Sequence, residues 1–287
     1  MAGCCDTRKE GMNESIGMGT WTLDDIPWHR FDATKVDPDL VTVAKTASLI
    51  EHNAADYASY LRSVFADDEE FTAAATAWAA EETQHGLALG RWARMADPAF
   101  NFEDALRRFV AGYRLPLTAT ESVRGSRSGE LIARCVVESG TSSFYSAVRD
   151  RTDEPVIKAI CQRIAADEFR HYKLFYTYLQ RYLASERPTR LRRLRVASGR
   201  FLEVDDDELS FAYHCANHAE SEPYDRVRAN IAYTGLVART YRRGHVERAA
   251  AMMLKACGVS ADGWFGRVAR SIAWMHVQRH QRRPIPV

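Results

Sequence analysis

Two stretches, AEETQHGLAL at 80–89 and ADEFRHYKLF at 166–175, each set a Glu and a His three residues apart inside a segment of helical periodicity. Nineteen Glu and nine His in 287 residues give about 19 × 9 / 287 such pairs by chance, fewer than one, so two pairs alone decide nothing. Their surroundings carry more weight. Residues three apart share a helix face, and these faces are apolar. Glu82 lies among Ala75, Trp78, Ala79 and Leu89, and Glu168 among Cys161, Ile164, Ala165, Tyr172 and Phe175. A further Glu precedes each pair. Glu51 stands among Ala44, Ala47, Ala54, Ala55 and Ala58, and Glu138 shares a face with Leu131, Cys135, Thr141 and Tyr145. The midpoint between 51 and 82 falls in FADDEE and that between 138 and 168 in DRTDEP, both rich in turn-forming residues. Folding each helix pair back at its turn levels Glu51 with Glu82 and Glu138 with Glu168, each about 20 Å from the turn at a rise of about 1.5 Å per residue.

Four bare carboxylates on core-facing stripes cannot be buried without compensation. Two divalent cations cancel four negative charges, and neutral imidazoles complete the shell. Glu from two helices together with Glu-x-x-His from two others is the inward-facing pattern of a two-metal four-helix bundle. Its mixed oxygen and imidazole set suits iron or manganese. The expected ligands are therefore Glu51, Glu82, His85, Glu138, Glu168 and His171. Glu81 and Asp167 each precede a ligand Glu, and are expected to accept hydrogen bonds from ligand imidazole N–H groups, with Arg170 pairing with one of them. Exposed, salt-bridging Glu residues beside unrelated His would leave two nearly equal spacings and four apolar flanks without a common cause.

The remaining sequence reads as helix. Segments rich in Ala, Leu, Arg and Glu, separated by Pro and Gly, predict helices near 38–65, 68–95, 102–112, 129–149, 154–185, 188–202, 206–219, 224–242, 245–257 and 262–282. No strand-like alternation persists. The expected organisation is a tail and lead-in over 1–37 (residues 1–20 flexible), a bundle over 38–186 and a C-terminal helical extension over 187–287 packing on it. Residues 113–128 form the long break between the halves of the bundle. RPTRLRRLRVASGR, 187–200, is a basic hinge able to dock an acidic partner. The net charge of +1 gives no global pull toward nucleic acid or anionic membrane. No apolar run reaches the roughly 18 residues of a membrane span, and the first residues lack a secretory apolar region. Six scattered Cys without a C-x-x-C exclude a zinc ribbon or rubredoxin-type site and fit a reducing, cytoplasmic setting. His214 and His218 are four apart but lack the Glu of a zinc-protease motif. Tyr145, Tyr172 and Trp78 lie where they line a pocket, relay electrons or simply pack the core.

The motifs resemble those of the ferritin-like di-iron superfamily, and within it the soluble acyl-ACP desaturase branch. That branch carries Glu-Glu-x-Arg-His-Gly and Asp-Glu-x-Arg-His. Here they stand as Glu81-Glu82-Thr83-Gln84-His85-Gly86 and Asp167-Glu168-Phe169-Arg170-His171, the first departing at Gln84. A Thr three residues after the third-helix Glu also matches, as Thr141 after Glu138. The resemblance covers about residues 40–180. It implies an all-α, ferritin-like bundle with additional C-terminal helices, two Fe ions (or Mn, or a mixed pair) and O2 as co-substrate. The implied activity is an oxidase or oxygenase that desaturates or hydroxylates an organic substrate, such as a carrier-bound acyl chain, with Thr141 assisting proton delivery. No electron-transfer domain is evident, so an external ferredoxin- or reductase-like donor is implied; a homodimer is expected by analogy. The alternatives are a ferritin- or rubrerythrin-like ferroxidase, peroxidase or iron-handling protein, and a tRNA-hydroxylase-like monooxygenase, besides a helical scaffold without catalytic metal.

Overall fold

A computed structural model describes residues 21–113, 117, 119–203 and 207–284. The expected flexible tail, with Cys4 and Cys5, lies outside the described residues. Three short 3-10 turns lead in from Leu23 to Lys35. Among the described residues eleven α-helices follow and no strand forms: α1 Pro38–His52, α2 Ala54–Val64, α3 Glu69–Ala96, α4 Phe102–Gly112, α5 Arg127–Arg151, α6 Pro155–Glu186, α7 Arg190–Leu202, α8 Asp207–Asn217, α9 Arg226–Thr240, α10 Arg243–Ala256 and α11 Trp264–Gln281.

Local chemistry sets the ends of the long helices. Asp37 caps α1 by accepting from the Asp39 N–H, with Pro38 at the first helical position. Asp68 caps α3 through the Phe71 N–H, and Ser126 caps α5 through the Gly129 N–H. Glu154 caps α6 and does more. Its fully buried carboxylate accepts from Val156 N, Ile157 N, the Trp92 indole and Asp32 N. Four donors offset the desolvation of that charge, and they tie α6, α3 and the lead-in to one point.

One expected helix, 38–65, is two. The chain breaks at Asn53 (φ −83°, ψ 10°), whose N–H reaches the carbonyls of Leu49, Ile50 and Glu51 together. His52 and Asn53 are both poor helix formers, and the tightened turn falls two residues beyond Glu51. Beside it, α1 and α3 approach to backbone contact at Gly86. A Cβ there would lie 2.6 Å from His52 N and 2.7 Å from Ser48 O.

Helices α1 and α2 lie along α3, α5 pairs with α6 over most of its length, and α3 meets α6 between the pairs. The chain reverses at residues 65–68 and 152–154. The C-terminal helices wrap this core: α7 and α10 lie on α5, α8 on α1 and α4, and α9 and α11 pack together, with α11 also against α10. Both main apolar clusters draw on both regions. One joins Leu49, Trp92 and Ile160 to Ala212 and Tyr233; the other joins Phe65, Phe71 and Phe175 to Cys257. Each fully buried side chain of this size contributes about 1.5–3 kcal/mol of transfer free energy. Cys135, Cys161, Cys215 and Cys257 are buried free thiols. No helix among the described residues is long and apolar enough to cross a membrane.

Candidate metal centre

Glu51 of α1, Glu82 and His85 of α3, Glu138 of α5 and Glu168 and His171 of α6 converge. Ligand atoms of Glu51, Glu82, His85 and Glu168 lie within 4.8 Å of one another, as do those of Glu82, Glu138, Glu168 and His171. Glu82 and Glu168 belong to both groups. All but Glu51 are buried below a tenth of their surface, and Glu51, the least covered, lines a cavity. The buried cluster could hold metal ions.

The imidazoles carry the fit test. His85 Nε2 lies 3.0 Å from Asp167 Oδ2, and His171 Nε2 lies 3.0 Å from Glu81 Oε2. Each outward N–H is thus held by a carboxylate, which leaves Nδ1 facing inward. His85 Nδ1 is 3.0 Å from Glu82 and 3.4 Å from Glu168. His171 Nδ1 is 3.0 Å from Glu82 Oε1 and 3.8 Å from Glu138, yet makes no directed hydrogen bond. Glu138 Oε1 and Glu168 Oε1 are also buried without a hydrogen-bond partner. Inward ring nitrogens and orphaned carboxylate oxygens around one point are, once deprotonated, a donor set for cations, with outer carboxylates fixing the rings.

Without cations, protons neutralise the cluster. Burial, then the charges of Glu82 and Glu168, push Glu51 well above the ordinary carboxyl range; burial, then Glu168 and Glu82, do the same to Glu138. Burial opposes charging of His85, but hydrogen bonds to Asp167, Glu168 and Glu82 overcome it and raise that imidazole well above its usual value. Burial likewise opposes charging of His171, and Glu82 and Glu81 raise it to about 9. Glu82 is itself driven well below its usual range: burial resists ionisation, and the two imidazoles outweigh it.

The outer groups form a brace across the helices. Arg170 donates to Asp167 at 2.5 Å and to Glu81 at 3.1 Å, so it holds both acids rather than one. Trp21, which no sequence motif singles out, donates its indole N–H to Asp167 at 2.7 Å and stacks on His85 at 6.0 Å. Gln84, the departure from the family motif, donates to the Trp21 carbonyl at 3.0 Å. Thr141 Oγ1 lies 2.5 Å from Glu168 Oε2 and within 3.3 Å of the Val137 and Glu138 carbonyls. The Tyr145 hydroxyl donates to Glu51. Trp78 lines the cavity, whereas Tyr172 donates to the Met252 carbonyl. His52 turns away and packs edge-on against Phe102. His214 and His218 stack at 5.3 Å, and His218 pairs with Glu222.

A cavity of about 650 Å³ opens on the cluster, within the size range of small-molecule sites. Glu51, Glu82, Glu138, Glu168 and Thr141 form its acidic end, and α7, α9, α10 and α11 supply most of its apolar wall. Helical periodicity marks these C-terminal residues as core-facing but does not say that they face one another across a void. The chain matches no family model, and no curated protein matches it.

Proposed function

We propose that this protein is a ferritin-like di-metal oxidase or oxygenase, with iron the best-suited metal, that uses O2 to desaturate or hydroxylate an apolar organic substrate. The observation that carries this reading is a buried six-residue donor set, sharing Glu82 and Glu168 between two groups, that opens onto an apolar cavity. A cavity of this kind favours oxidation of an organic molecule over iron storage. The motif likeness to the soluble acyl-ACP desaturases supports the same reading.

When bound, the metals supply the two-electron chemistry with O2. Overall, substrate, O2, two electrons and two protons yield an alkene and two waters, or an alcohol and one water. The electrons come from a separate donor of the ferredoxin or reductase type, and the exposed Arg190, Arg192 and Arg195 offer an acidic donor a docking surface. The chain's own residues do the rest. Glu51, Glu82, Glu138 and Glu168, with His85 and His171, would hold the cations, Asp167 and Glu81 orient the two imidazoles, and the apolar walls exclude water. Thr141 lines the cavity and donates to Glu168, where its hydroxyl can pass a proton.

The test is to load the protein anaerobically with Fe(II), measure bound iron, and add O2 beside candidate acids, carrier-bound acyl chains and tRNA. Two irons per chain and a product lighter by two hydrogens or heavier by one oxygen are expected. Failure to bind iron, or O2 consumption indifferent to every organic substrate, refutes the proposal. Glu138→Ala and His171→Ala should each lose iron while keeping their helicity by circular dichroism.

A further inference from the structure

The cavity contains a positive charge that the reaction scheme leaves unused. Arg134, on α5, lines it and retains 6% of its surface. Its guanidinium lies over the Tyr57 ring at 4.9 Å, its Nε has no hydrogen-bond partner, and it makes no ion pair among the described residues. Glu208 accepts from Tyr57 at 2.5 Å, Glu130 accepts from Tyr60 and Ser122, and Glu138, one turn along α5, feels the Arg134 charge without pairing with it. A guanidinium is always charged, and burying it without a carboxylate is costly.

Trp78, on α3, repeats the pattern. It is 5% exposed, lines the same cavity, and its indole N–H has no partner. Trp78 stands one turn before Glu82, and Arg134 one turn before Glu138. Both lie on the same side of the cluster, because the start of α5 is bound to the α2–α3 turn through Arg127, which reaches Val64 O and Asp67. Two donor-only groups therefore flank one end of the cluster inside a mainly apolar space. The exposed residues among those lining the cavity, Ser198, Leu202 and Ile272, belong to α7 and α11 and mark its mouth.

We infer that Arg134 and Trp78 anchor the carboxylate of a free, long-chain carboxylic acid that enters head first, its tail lying toward the α7–α11 mouth. Guanidinium and carboxylate match as a two-point fork, and the indole supplies a third donor. The inference rests on the oxidase reading only for its consequence. The head group sits beside Glu138 and Thr141, so oxidation falls on the carbons nearest the carboxylate. A carrier-bound acyl chain would lie the other way round, with its thioester at the mouth beside the carrier.

Binding is measured by calorimetry on the metal-free full-length protein, which separates this inference from the redox chemistry. The probes are hexadecanoic acid, hexadecanol and methyl hexadecanoate. The acid should bind at least roughly tenfold more tightly than the alcohol or ester, as expected of a desolvated charge-assisted pair. Arg134→Leu should abolish that preference while leaving hexadecanol binding unchanged. Arg134→Lys should restore part of the preference, and Trp78→Phe should reduce it. Thermal melts and iron content establish that each variant is folded with its metal site intact. Equal binding of acid and alcohol by the wild type, or an acid preference that survives Arg134→Leu, overturns the inference. Selective acid binding without any O2-dependent product leaves the anchor standing and removes only the oxidase reading.

Discussion

Metal loading should expel protons, and the structure sets how many. In the metal-free protein Glu82 and Glu81 outweigh the burial of His171 and raise it to about 9, so at pH 7.5 it is mostly protonated. His85 is raised in the same direction by Asp167, Glu168 and Glu82, and Glu51 and Glu138 by burial and neighbouring carboxylates. Cations need the inward ring nitrogens and the carboxylates unprotonated. Binding two divalent ions at pH 7.5 should therefore release at least about one proton, from His171, and up to about four if His85, Glu51 and Glu138 are also fully protonated. Titration calorimetry with Mn(II) or anaerobic Fe(II), in buffers of different ionisation enthalpy, reads the number directly as a slope. Affinity should rise with pH by the same number of decades per unit. His171→Ala should lower the count by about one. A slope below about half a proton at pH 7.5 would refute the argument, because the cations would then not be displacing protons from these imidazoles. The linkage to stability has the same sign. A folded-state value raised above the ordinary 6.5 makes the contribution of His171 full below that pH and lost as pH rises through about 9. Glu51 and Glu138, also raised, act in the same direction, whereas depressed Glu82 contributes above the ordinary carboxyl range and loses its share on acidification. The metal-free melting temperature should fall from neutral to alkaline pH, and bound metal should flatten that fall.

Asp167→Asn removes the charge that holds His85, Trp21 and Arg170 together, and metal affinity should drop about 10–100-fold; unchanged affinity in competition with a chromophoric chelator would show that the brace is dispensable. Gly86→Ala drives a methyl group into the α1 backbone. It should cost about 1–3 kcal/mol in urea unfolding of the metal-free protein and weaken metal binding through Glu51; neutrality in both would mean that α1 yields freely. Thr141→Val should keep both metals, since the hydroxyl touches Glu168 without being needed to hold a cation. It should slow or uncouple substrate oxidation from O2 consumption, and full coupled turnover would remove its proton-transfer role.

The two Glu-x-x-His pairs and their upstream Glu residues were legible because a helix turns position into direction. Apolar flanks at three- and four-residue spacing reveal an inward face whatever the helix packs against. What lay outside that logic was decided by residues distant in sequence. Trp21 lies in a lead-in of short 3-10 turns without helical periodicity, and its contact with Asp167 spans 146 residues. The close approach of α1 to Gly86 beside the break at Asn53 joins residues more than thirty apart, which the residues of α1 alone do not state. Arg134, one turn before Glu138, shares its face, but its role depends on the cavity that α7 and the helices after it enclose. The same limit hides how the two halves join. On one helix Glu81 is four residues from His85, and on another Asp167 is four from His171, so sequence spacing leaves open whether each acid serves its own histidine or the one across the bundle. The pairing is across the bundle: His85 is held by Asp167 and His171 by Glu81, with Arg170 joining the two acids. An inward Nδ1 requires Nε2 to point across to the neighbouring helix, so a ring aimed at the cluster cannot use the carboxylate one turn below it. Each half of the bundle therefore sets the orientation of the other's imidazole, and damage to either outer acid should disturb metal binding by residues of both halves.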